Sequence, residues 1–377
     1  MNQAYDDLPS SHRRPSDMPQ TPSSISRKSR IQGALMGAFI GDALALGPHW
    51  YYDLDALRRD YGDWISDYTA PKPGRYHEGM PAGASSQAGF ILALTARSLV
   101  DRGGYDEADF CARMDGELFP LLDGTPMAGP GGYTSQSIRE AWRKRHAGLP
   151  WGQVAGLADN TEAAERVLAI ALRYAGEPAR LAGHVGSNVA LTQRDPTVGA
   201  MTLAFAAVLG QLANGVALDG DLSGRLMGMV KSGELPFHTV TSGALDVPQG
   251  AEAPLQAGQF ASPDALLTVS SIARAAHDPA IRIEPASKVG LVYGLPCAVY
   301  HQFPAAYYLA ARFQGDVELG VLHAVNAGGQ NQARAMLTGA LCGAIGGLEA
   351  IPARFIAGLE KGEEYRALAK ALAEQAG

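Results

Sequence analysis

The chain has 377 residues, 46% of them hydrophobic and 18% charged, proportions that suit a large folded body and exclude wholesale disorder. With 31 basic against 38 acidic residues the formal charge is -7, and aromatics make up only 7%; the sign is wrong for gripping a phosphate backbone and the rings are too few for a single-strand stacking platform, so nucleic acid is not an expected partner. Three cysteines, Cys111, Cys297 and Cys342, show no Cys-x-x-Cys spacing, which argues against a disulfide framework or a thiolate zinc site and points to a reducing cytoplasm.

Residues 1–30 hold seven serines, four prolines and five Lys/Arg with no periodic apolar face, the composition of a disordered tail. Its basic cluster precedes the apolar run Ile31 to Leu46, but Asp42 interrupts that run and no small-residue cleavage site follows, so a signal peptide is not expected. No uninterrupted run of about 18 apolar residues follows either, so no membrane span or membrane partner is expected. From Ile31 to the end, apolar residues recur at three and four positions and alternating β-branched runs are nearly absent, which predicts one all-α domain over 31–377. The spacing places helices at about 31–46, 86–102, 106–119, 135–147, 161–175, 196–214, 222–231, 264–276, 303–313, 317–325, 333–347 and 352–374. Asp195-Pro196 illustrates a start signal, an acidic N-cap followed by proline at the first helical position. Residues 233–263, rich in Gly, Pro, Ser and Thr, read as a long loop of the kind that forms lids.

Gly33, Gly37 and Gly41 recur every four residues, as do Gly339, Gly343 and Gly347. Helix-interior glycine costs about 1 kcal/mol relative to alanine, so the two stripes imply close contact between helix backbones, each other's or a third helix's, or a backbone cleared for a ligand. Asp42 shares a helical face with Leu35, Ala38 and Phe39. A buried carboxylate there needs donors, a metal or a raised pKa, whether its role is to tie down the following loop or to serve a site. His49 follows the helix end, close enough for Asp42 to orient it and equally consistent with a plain loop histidine. Gly328-Gly329-Gln330-Asn331-Gln332-Ala333-Arg334 stands immediately before another helix, where free amides can meet anions or hydroxyls or simply cap the loop.

Taken in order and spacing, these pieces resemble the ADP-ribosylglycohydrolase family: Gly33 to Gly37 leading into Gly41-Asp42-Ala43, Asn160 to Arg166, Leu191 to Pro196, Gly328-Gly329, Gly339-Ala340-Leu341 with Gly343-Ala344, and Ile351-Pro352. The resemblance spans about Ile31 to Leu359, and His49-Trp50-Tyr51-Tyr52-Asp53 with the Gly329 to Arg334 segment looks most like the J1-crystallin-like branch. It implies an all-α, orthogonal helical bundle around a central cleft that acts on ADP-ribosyl glycosidic bonds. Members of the family usually hold two magnesium ions with aspartates of a Thr-Asp-Asp-Thr and a Gly-Gly-Asp-Thr-Asp-Thr segment. This chain reads Ser85-Ser86-Gln87-Ala88 and Gly328 to Ala333 there, and Gln193 replaces the histidine of Thr-His-x-Asp-Pro. Because magnesium demands hard, usually anionic oxygens, no magnesium or other cofactor is expected.

On this reading Asp42 and His49 are the catalytic candidates. Ser86, Gln87, Gly132, Tyr133, Asn160, Gly329, Gln330, Asn331 and Gln332 are the candidates for binding a small ribosyl or ADP-ribosyl ligand, although Glu162 stands where the family pattern wants glycine. A catalytically inactive, crystallin-like homologue and a repurposed enzyme using Cys297 with His301 are the rival expectations. Nothing in the sequence sets the oligomeric state.

Overall fold

The computed structural model describes residues 25–238 and 264–376, and most of the loop expected at 233–263 and nearly all of the expected tail lie outside them. The described residues form sixteen α-helices and no strand: α1 (Arg27–Leu46), α2 (Leu54–Tyr61), α3 (Gln87–Arg102), α4 (Glu107–Arg113), α5 (Gln136–His146), α6 (Glu162–Arg173), α7 (Pro178–Ala190), α8 (Pro196–Ala213), α9 (Leu222–Lys231), α10 (Asp264–His277), α11 (Val289–Tyr293), α12 (Val299–Phe313), α13 (Val317–Val325), α14 (Asn331–Gly346), α15 (Ala353–Gly358) and α16 (Gly362–Gln375). The all-α expectation is met. Three isolated two-residue bridges, Tyr51 with Gly329, Gly156 with Gln193 and Asn160 with Ala298, lace together loops that the helices leave free.

The first helix starts at Arg27, inside the stretch expected to be tail. Ser26 caps it by accepting from Ser29 N, and Arg30 is buried, donating to the carbonyls of Ala344 (2.9 Å) and Ile345 (2.6 Å) at the far end of α14. A basic cluster that reads as solvated is thus partly consumed in satisfying the last carbonyls of another helix. The stretch 352–374 is two helices, α15 and α16, separated at Leu359 to Lys361. The helix expected at 106–119 is α4 continued by a π turn over Met114–Leu118.

At the centre α1 and α14 run antiparallel with their glycines face to face. A Cβ built on Gly37 would lie 2.7 Å from the Gly339 carbonyl carbon, one on Gly33 2.6 Å from the Gly343 oxygen, and one on Gly41 2.7 Å from Met336 N. Side chains are excluded by backbone, so the two stripes are one seam, and each helix-interior glycine offsets its cost by the contact it permits. Around the seam the core is continuous through α6, α8, α12, α13 and α16, and a smaller cluster of Ile91, Leu94, Phe110, Met114, Leu118 and Ile138 joins α3, α4 and α5. Pro196–Ala213 is long and apolar enough to cross a membrane by length and composition, and 72% of that stretch is buried against its neighbours.

The seam makes a contrast that can be measured. Gly37→Ala forces two backbones apart and should lower stability by about 1–3 kcal/mol, whereas Gly228→Ala, in α9 with open space around it, should raise it by up to about 1 kcal/mol. Denaturant unfolding of both variants checks this; equal effects would mean that the seam is not tight.

Candidate functional site

The cleft sits where the N-termini of α3, α6 and α14 converge beside the loop that follows α1. Its lining includes His49, Trp50, His77, Ser86, Gln87, Tyr133, Asn160, Glu162, Glu165, Cys297, Gln330 and Gln332, around a space of about 60 Å³. A space of this size holds a few waters or one small chemical group, and a larger ligand rests partly outside it.

Behind this lining Asp42 is fully buried. Its carboxylate accepts from Ser86 N (2.9 Å), Ser86 Oγ (2.5 Å) and Gln332 Nε2 (2.8 Å), so it ties α1 to the first turns of α3 and α14. Gly89 is where the close approach is needed: a Cβ there would meet Asp42 Cγ at 3.1 Å. Burial pushes the carboxyl up to about 6, although the bonds from Ser86 and Gln332 pull the other way. Asp42 is therefore a tie between helices and does not line the cleft.

The positions expected to substitute for the metal ligands divide into those bound up in the fold and those presented. Gln87 donates from Nε2 to Thr134 Oγ1 (2.9 Å) and accepts at Oε1 from Ser135 N (3.1 Å), which exhausts its strongest bonds in fixing the loop before α5. Asn331 is buried away from the cleft, donating to the carbonyls of Pro48 and Val325. Gly329 pairs with Tyr51 and carries a φ of +59°, and its carbonyl accepts from Trp50 N at 3.1 Å. Gly132 turns the loop against His77. Gly132, Gly329 and Asn331 shape the cleft from behind, while Ser86, Gln87, Tyr133, Asn160, Gln330 and Gln332 reach its lining. Arg334 is buried under the Gly328 turn, donating to the Gly328 carbonyl at 2.9 Å, and burial holds it down at about 10.

A magnesium pair needs several carboxylates converging on one space. Where the two substituted segments meet, N–H and O–H donors surround the Asp42 carboxylate as cations otherwise would. No group of three or more His, Cys, Asp or Glu among the described residues is placed to hold a metal ion. This donor set does not fit a dinuclear magnesium centre.

His49 is joined to a residue that the sequence did not single out. His77 Nδ1 donates to the Gly131 carbonyl, and His49 Nδ1 and His77 Nε2 lie 2.6 Å apart. His49 Nε2 lies 3.0 Å from Gln330 Oε1, which already accepts from the Trp50 indole N–H. The string begins and ends on oxygen acceptors, so its three bonds need three protons, while two neutral imidazoles carry two. Burial holds both rings below the ordinary histidine value, and the neighbouring His77 adds to this at His49. At neutral pH one of the three contacts therefore lacks a proton. Trp50, Tyr76 and Tyr133 pack edge to face beside this string, with the Trp50 and Tyr133 rings 4.3 Å apart.

The acids that line the cleft come from α6. Glu162 Oε2 accepts from Arg166, from Ser137 Oγ (3.2 Å) and from Thr192 Oγ1 (3.3 Å), while Oε1 is buried with no hydrogen-bond partner. Arg166 is held in turn by the Asn188 side chain (2.7 Å) and carbonyl (2.8 Å). One turn along, Glu165 accepts from Thr161 Oγ1 at 2.5 Å. Burial pushes it up to about 8, with the charges of Glu162 and Asp42 adding to the rise. Gln193, in the place of the family histidine, accepts from Ala163 N (2.9 Å) and donates to the carbonyls of Ala158 (2.8 Å) and Asn160 (2.9 Å), so it sets the loop that opens α6. The signal for Glu162 and Glu165 was present in the sequence: acids three apart, with Arg166, opening the otherwise apolar run 163–172.

Cys297 lines the cleft but lies in the turn before α12, not on a helical face with His301, whose Nδ1 donates to the Tyr293 carbonyl at 2.6 Å. Burial pushes the thiol up, away from the thiolate that a nucleophile requires.

A carboxyl raised in the folded state favours the fold while protonated, and this contribution fades as pH climbs from the unfolded value through the folded one. For Glu165 the window is about pH 4.5 to 8. The Glu165→Gln variant, still able to accept from Thr161, should gain several kcal/mol on the wild type between pH 5 and 8 by this linkage. Unfolding free energies measured across that range check it; parallel pH curves would contradict the assignment.

No curated protein matches this chain. A structure solved under the name ADP-ribosylglycohydrolase-related protein complex superposes with a TM-score of 0.59 at 20% identity, covering 93% of this chain and 99% of that one, which establishes the shared fold. The pattern of the ADP-ribosylglycohydrolase family matches residues 23–377. The chain belongs to the ADP-ribosylglycohydrolase family.

Proposed function

We propose that the cleft binds a ribosyl or ADP-ribosyl group and cleaves its glycosidic bond without a magnesium pair. The observation that carries this reading is the lining itself, which sets the Glu162 carboxylate, one oxygen of it without a hydrogen-bond partner among the described residues, beside the amides of Gln330 and Gln332. An unsatisfied buried acceptor costs about 1–3 kcal/mol, a cost that a ligand hydroxyl or a water relieves. The rings of Trp50, Tyr76 and Tyr133 offer apolar faces and edges to the part of a larger ligand that lies outside the inner space. We place the chain nearest the J1-crystallin-like branch and in a reducing cytoplasm, where its three free thiols are stable.

A second reading, a binding protein without turnover, draws on the narrowness of the inner space, which admits a single small group and leaves little room for an attacking water beside it. Thermal unfolding with ADP-ribose, NAD and ribosyl-arginine, each with and without magnesium, tests the ribosyl reading. A ligand at a hundred times its Kd stabilises by about 2.7 kcal/mol, so the midpoint should rise by a few degrees equally in magnesium and in chelator. A rise only with magnesium, or none with any of the three, would overturn it. Binding without product release favours the second reading.

A further inference from the structure

We infer that Glu162 and Glu165 are the acid and base of this cleft for a ribosyl N- or O-glycoside, with Glu165 as proton donor and Glu162 as proton acceptor. This deepens the ribosyl reading and rests on it. Both side chains line the cleft, both lie in the first turn of α6, and the fold treats them oppositely. Glu162 is clamped on one oxygen by Arg166, Ser137 and Thr192, so its charge is compensated while Oε1 stays unpartnered. Glu165 has no basic partner: its hydrogen bond comes from a neutral hydroxyl, that of Thr161. Two carboxyls whose surroundings separate their protonation are the arrangement that lets one give a proton while the other takes one.

The balanced reaction is hydrolysis. As the bond from the anomeric carbon to the leaving atom breaks, the electron pair stays on the leaving atom, which takes the Glu165 proton. Water bonds to the anomeric carbon and loses a proton to Glu162 Oε1. The products are the free ribosyl hydroxyl and the protonated leaving group, and transfer of a proton from Glu162 to Glu165 through solvent restores the starting state. No redox partner or metal is required. The groups that set the Glu165 proton are Glu162 and Arg166 on its own helix, Asp42 from α1 and Cys297 from the turn before α12.

The test uses the full chain with two substrates, ribosyl-arginine and 4-nitrophenyl riboside, whose leaving groups differ in their need for a proton. Glu165→Gln should lower kcat at least 100-fold for ribosyl-arginine, the scale of general acid catalysis, and much less for the nitrophenyl riboside. It should also abolish the fall in wild-type activity above about pH 8. Glu162→Gln should lower kcat for both substrates. Because that change breaks a buried ion pair, Glu162→Asp, which keeps the charge, serves as the second variant and should retain partial activity. Wild-type turnover that Glu165→Gln leaves unchanged for both substrates would overturn the inference while sparing the ribosyl reading. A wild type that binds ADP-ribose without hydrolysing either substrate would overturn the inference and favour the binding-protein reading, whereas a wild type that binds none of the ligands would remove both.

Discussion

The packing of α1 on α14 at backbone distance is the constraint from which the cleft follows. Gly33, Gly37, Gly41, Gly339 and Gly343 each face backbone of the opposing segment, with no room for a methyl group. Helices packed through ordinary side chains stand 8–10 Å apart. Only at closer range can Asp42 near the end of α1 accept from Gln332 in the first turn of α14, or the loop after α1 bring Trp50 and His49 to Gln330. The seam thus fixes one wall of the cleft, and the first turns of α3 and α6 are fastened to it through Asp42 and the Gln193 loop.

Electrostatics then distributes roles among buried acids that would otherwise repel one another. Asp42 is stabilised by neutral donors, Glu162 by a guanidinium, and Glu165 by keeping its proton. Buried carboxylates are tolerated only when compensated or neutral, and three different solutions within one small volume leave them chemically distinct. Helix N-termini facing the same space favour negative charge there.

Much of this was legible in the residues. The apolar periodicity of α3, α6, α8 and α14 marks buried helices because each is covered on nearly all sides. Asp42 was correctly placed on a core-facing side by its spacing from Leu35 and Phe39. The glycine stripes announced a close approach of helix backbones, with each other among the partners considered, and the seam shows that pairing. What stayed hidden depends on long-range assembly. Helix α2 is short and mostly polar and α7 contains two glycines, so each reads as loop despite its amphipathic face. His77 lies between Pro71 and Ala84 in a stretch without periodicity, and its importance comes entirely from contacts with His49 and Gly131. Glu162 read as a departure from a family pattern, and only the packing of α5 and the Thr192 turn shows one of its oxygens engaged and the other unsatisfied.

The seam also joins the two ends of the polypeptide: Asp42 and Gln332 are 290 positions apart, and Arg30 reaches a carbonyl 314 positions later. A ribosome releases α1 long before its partner exists, so the apolar surface of the first helix must wait through nearly the whole of synthesis. Contacts of such sequence separation form late and slowly. No truncated or half-made chain can contain the cleft, and a nascent chain paused before α14 presents a first helix that is buried almost throughout in the finished fold to whatever chaperone is at hand.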